Sequence, residues 1–60
     1  MNTIKAAKLA YDIYRLVAEG NAIHPSSTYN YERRQYCYLR AINMCRFLIN
    51  ELKELLKDGP

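Results

Sequence analysis

The sequence predicts an all-α fold: an antiparallel helical hairpin, with a short first helix and a long second one, that self-associates into a helical bundle. Three observations predict it. Apolar residues recur in steps of three and four on both sides of one break, the spacing that keeps side chains on one face of a helix. That break, from Gly20 to Thr28, gathers Gly20, Asn21, Pro25, Ser26 and Ser27, the residues that favour turns. The chain has 60 residues, and one that short buries only about 60% of the surface its unfolded form exposes, so a lone hairpin is marginal.

The first helix is expected over about residues 4–19, with Asn2 or Thr3 as its cap, Ile4 as its first apolar residue and Gly20 as its stop. Its polar residues Lys5, Lys8, Asp12, Arg15 and Glu19 fall on one line, and nearly everything else is apolar. A helix facing a single partner needs an apolar arc only slightly wider than about 100°. This arc is far wider, which sandwiches the first helix between at least two neighbours. In the connection, residues 20–28, Pro25 biases His24 toward extended backbone, Ile23 tucks under the loop, and Ser27 or Thr28 caps the second helix.

The second helix is expected over about residues 29–57, stopped by Gly59 and Pro60. Its expected core stripe is Tyr38, Ile42, Cys45, Ile49, Leu52 and Leu56. At 1.5 Å per residue the helices measure about 25 and 42 Å. The first then covers roughly residues 29–46, leaving Leu48, Ile49, Leu52, Leu55 and Leu56 as an uncovered overhang and the expected oligomer interface. Burying each such side chain is worth about 1.5–3 kcal/mol.

The 60 residues make one domain, without repeats. Cys37 and Cys45 lie eight residues apart on one helix, about 12 Å of rise, too far to bridge within the chain. His24 is the sole histidine and has no second ligand at helical spacing, so no metal is expected. It is a surface or capping residue rather than a base, since Ser26 and Ser27 beside it lack a third catalytic member. The acids are scattered, and two glycines make no phosphate loop. No enzyme and no cofactor are expected. No apolar run approaches the roughly 18 residues that span a bilayer, and the first residues do not read as a leader, so a cytoplasmic protein without membrane contact is expected.

The net charge of +3 is unevenly placed: residues 24–46 carry +3, residues 1–23 +1 and residues 47–60 −1. From this basic middle to its edge, Tyr29, Arg33, Tyr36, Arg40, Asn43 and Phe47 form a second stripe of the long helix, with Arg34 beside it. Arginine offers a planar fork of donors for phosphate and tyrosine a face for stacking, so this stripe is a candidate surface for RNA or DNA. Both residue types are equally enriched in protein interfaces, so a protein partner fits it too.

The order of features resembles the small four-helix-bundle proteins encoded in ribosomal RNA intervening sequences and the related accessory variability determinants of diversity-generating retroelements. The likeness lies in the apolar stretch from Ala6 to Arg15, in His24-Pro25-Ser26-Ser27, and in the basic segment Glu32-Arg33-Arg34 running through Ala41 and Ile42 to Leu52. It spans the first two helices of such proteins, and His24 stands where many of them carry phenylalanine. The resemblance implies a basic bundle forming a pentameric barrel, whose accessory type binds nucleic acid and the reverse transcriptase. Here self-association would have to supply the missing pair of helices. The expected function is a non-catalytic accessory module that oligomerises and binds RNA or DNA together with a protein such as a polymerase or reverse transcriptase. The alternative is a pure protein-interaction module, such as a phage-type inhibitor or an assembly subunit, using the Tyr/Arg face as its interface.

Overall fold

A computed structural model describes residues 2–58, which form an all-helical hairpin: α1 (Asn2–Ala22), a connection of residues 23–27, and α2 (Thr28–Asp58). Among the described residues no helix is long and apolar enough to cross a membrane. The expected stop at Gly59 and Pro60 lies outside the described residues.

Helix α1 does not end at Gly20. That glycine has no positive φ, so its place in the sequence is not that of a left-handed cap. The helix runs on to Ala22, its last turn tightened by the Ile23 amide donating to the Gly20 carbonyl at 3.2 Å, the three-residue bond common at helix ends. The terminator is Pro25, which disfavours helical backbone at His24. The chain then turns tightly, with the Ser26 amide on the His24 carbonyl at 2.8 Å. Ser27 starts α2 as expected: its Oγ accepts the Asn30 amide at 3.1 Å and its carbonyl accepts the Tyr31 amide at 2.9 Å, the arrangement of an N-cap.

The covered seam positions of α1 are Ala6, Leu9, Ile13, Leu16 and Gly20, continued by Ile23 just past its end; those of α2 are Cys37, Ala41, Met44, Leu48, Glu51 and Leu55. Both rows step by three and four without a break, the seven-residue repeat that keeps one seam turned toward a partner helix. The expected core stripe of α2 therefore has to be corrected. The sequence pattern places it one residue later, about 100° around the helix. Ile42 is 53% exposed and Leu56 81%, Ile49 and Leu52 are also exposed, and Tyr38 and Cys45 are only half-buried flanks. The physical reason is that α2 carries two adjoining apolar stripes. The one holding Cys37 and Ala41 offers small side chains where Gly20 of α1 packs beside Tyr38, and axis separation follows side-chain size at the contact.

The expected overhang also needs correction. Lys5 Nζ lies 3.0 Å from Glu51 Oε1, while Gly20 packs on Tyr38, so α1 covers α2 from about Tyr38 to beyond Glu51 rather than residues 29–46. Leu48 and Leu55 are half-buried seam positions. The uncovered apolar side chains Ile49, Leu52 and Leu56 belong to a face along the hairpin, not to a free end.

The resulting core is very small. Among the described residues only Ala6 (7% exposed), Ala41 (4%) and Gly20 are buried. The Cα trace measures 50 × 14 × 11 Å with a radius of gyration of 14.4 Å, against about 10 Å for a compact chain of this length. Its accessible surface is 4870 Å², about 800 Å² more than the roughly 4,100 Å² of a folded monomer of this mass.

Candidate interaction groove

The Tyr/Arg stripe lies on one flank of the seam, and the antiparallel turn brings the polar line of α1 to that same flank. Leu16 and Glu19 of α1 thus join Tyr29, Glu32, Arg33, Tyr36, Cys37 and Arg40 of α2 around an open groove of about 380 Å³. A second depression of about 240 Å³, lined by Asp12, Arg15, Leu16, Glu19, Arg40 and Met44, continues it along the hairpin.

Two stacked pairs set the character of the groove. The Arg33 guanidinium carbon sits 5.6 Å from the centre of the Tyr29 ring, and that of Arg40 5.8 Å from the Tyr36 ring. Each pair is four residues apart, the spacing that makes helical neighbours, and such a contact at an exposed site is worth about 0.5–1 kcal/mol. The two guanidiniums are thereby held about 10 Å apart along the helix. Neither has a carboxylate within ion-pair distance among the described residues, whereas Arg15 pairs with Glu19 at 3.7 Å.

The charge of the groove is not that of the segment it comes from. Arg15, Arg33 and Arg40 are matched by Asp12, Glu19 and Glu32, because α1 lays its acids beside the basic stretch of α2. The excess of +3 that residues 24–46 carry as a string is therefore diluted once the chain folds back.

Of the expected binding residues, the fold brings Tyr29, Arg33, Tyr36 and Arg40 together. Arg34 points elsewhere: its Nε donates to the Tyr38 hydroxyl at 2.9 Å and its guanidinium carbon lies 5.5 Å from that ring. The same hydroxyl donates to Asn21 Oδ1 at 2.5 Å, so Arg34 belongs to a clasp between the helices. Asn43 and Phe47 continue the stripe as exposed residues beyond the first groove. Sequence reasoning missed Leu16, Glu19, Glu32 and Cys37 as lining residues. The signal for Glu19 is present in the polar line of α1, which the pattern alone assigns to solvent.

No protein-family model, no curated protein and no solved structure matches the chain. The resemblance to the intervening-sequence and retroelement proteins therefore rests on its quoted residues alone.

Proposed function

We propose that the chain is a non-catalytic interaction module. It completes its fold by self-association into a larger helical bundle and presents the Tyr/Arg groove to a protein partner. The observation that carries this reading is the missing core. A hairpin whose buried residues, among those described, are two alanines and a glycine, with about 800 Å² of surplus surface, is half of something. The groove favours protein over nucleic acid because its cations and acids balance and each groove tyrosine is already stacked by its own arginine. Tyrosine and arginine with an apolar floor are the residues that anchor protein interfaces.

A second reading, RNA or DNA with a protein such as a polymerase, keeps one observation in its favour: Arg33 and Arg40 have no acid partner among the described residues. Purification of the tagged chain from its native cells, with and without nuclease, separates the two. Under the first reading a protein remains bound after nuclease treatment and is lost from an Arg33→Glu, Arg40→Glu variant. Capture that disappears on nuclease treatment assigns the groove to nucleic acid.

A further inference from the structure

We propose that the side of the hairpin opposite the groove is a self-recognition face, on which a second copy of this chain seats back to back to make a four-helix bundle. The proposal rests on the self-association reading under Proposed function and gives it a surface and a stoichiometry.

The hydrogen bond from Tyr38 to Asn21 marks that side. Counting from Tyr38 in steps of four and three, Ile42, Cys45, Ile49, Leu52 and Leu56 share its side of α2; counting back from Asn21 in steps of four and three, Val17, Tyr14 and Ala10 share its side of α1. The face thus joins the apolar column of α2 to a mixed column of α1 that includes the exposed Val17 and Tyr14, and runs about 27 Å from Tyr38 to Leu56. All of it is exposed or half-buried in the single hairpin.

Two arguments select a second copy as the occupant. The first is area: a surplus of about 800 Å² per chain equals one partner's share of a standard protein interface, about 1,600 Å² in total. The second is charge. Each chain carries +3, so two copies repel across any basic surface, yet no charged residue interrupts these columns from Tyr38 to Leu56. Arg46 and Lys53, each four residues beyond Ile42 and Ile49, border them instead, as a polar rim borders an apolar centre. Back-to-back seating also leaves both grooves on the outside, so the bundle displays two of them.

The two native thiols read which side is covered, since Cys45 lies on the proposed face and Cys37 lines the groove. Sedimentation equilibrium of the wild-type chain should give a dimer at micromolar concentration. Across the same concentration range, labelling of Cys45 should slow at least about tenfold while Cys37 keeps its rate. Ile49→Glu should weaken the dimer at least about a hundredfold, because it sets an unpaired charge in the interface. Phe47→Glu, an equal loss of apolar surface on the groove side, should leave it unchanged. A folded monomer at about 100 μM overturns this proposal and the self-association reading together. A dimer that protects Cys37 and not Cys45, or that survives Ile49→Glu and yields to Phe47→Glu, overturns the face and spares the reading. A pentamer or other odd-numbered assembly overturns the four-helix bundle.

Discussion

Gly20 and Tyr38 leave no room between them across the hairpin: a Cβ placed on the glycine would stand 2.5 Å from the ring Cε1 and 2.9 Å from Cδ1. The ring has little freedom to yield, because its hydroxyl is tied to Asn21 on α1 and to Arg34 on α2. Alanine at position 20 removes the helix-interior penalty of glycine, about 1 kcal/mol, but overpacks a fixed contact, which costs about 1–3 kcal/mol. Gly20→Ala should therefore lower stability by up to about 2 kcal/mol. In a Tyr38→Ala background the same change should become stabilising, and a double-mutant cycle by chemical denaturation measures the reversal. Additive effects would show that the two residues do not meet.

The start of α2 offers a cleaner test, since it involves one hydrogen bond. Ser27→Ala leaves the Asn30 amide without its acceptor and should cost about 1 kcal/mol. Ser27→Asp keeps an acceptor and adds a negative charge to a helix with no acid in its first turn, worth about 0.3–1 kcal/mol at the positive end of the helix. Thermal unfolding should rank the variants Asp, Ser, Ala from most to least stable; an alanine variant as stable as wild type would place the cap elsewhere.

How much of the fold is legible in the sequence depends on which physical effect decides each feature. Local chemistry is readable: the Ser27 cap and the Pro25 turn depend on neighbours in the chain. Helix phase is not, because α2 carries two apolar stripes of nearly equal merit, one residue apart. The choice between them depends on how closely small residues such as Ala41 and Cys37 let α1 approach. Gly20 misleads for the same reason, being suited to a helix stop by its backbone and required inside the helix by Tyr38. For the groove, the stripe of Tyr29, Arg33, Tyr36 and Arg40 is visible as a pattern. Its neutral charge is not, because that depends on which residues of α1 come to lie beside it.

Glu51 is the one acidic residue in the α2 row of the seam. Its side chain is 20% exposed and pairs with Lys5, itself 66% exposed, and a pair with so solvated a partner contributes about 0–1 kcal/mol. Leucine there extends the run of Leu48 and Leu55 and recovers part of the 1.5–3 kcal/mol or so that a buried leucine supplies. Glu51→Leu should thus stabilise the protein by about 1 kcal/mol in denaturant titrations. A loss of stability instead would mean that the Lys5 contact fixes the register of the two helices, and Lys5→Met should then do equal damage.

The remaining prediction concerns the groove itself. Reversing Arg33 and Arg40 to glutamate removes two stacking contacts worth about 0.5–1 kcal/mol each and turns a balanced groove strongly acidic, since Asp12, Glu19 and Glu32 remain. Glutamate is as good a helix former as arginine, so circular dichroism should show helicity intact while capture of the protein partner is lost. Tyr36→Ala should weaken that capture more than the peripheral Asn43→Ala, because Tyr36 lines the groove and Asn43 does not. The wild-type chain should also show no specific affinity for single-stranded RNA or DNA beyond that of a Lys53→Glu, Lys57→Glu control, which removes as many positive charges from outside the groove. The opposite pattern is equally concrete. If Arg33 and Arg40 meet phosphates, affinity falls with salt, and each lost contact lowers the logarithmic slope by about 0.7–0.9. A slope that the arginine reversal abolishes and the lysine reversal spares would assign the groove to nucleic acid, and the stacked arginines would then be preorganised for phosphate rather than for the acids of a partner protein.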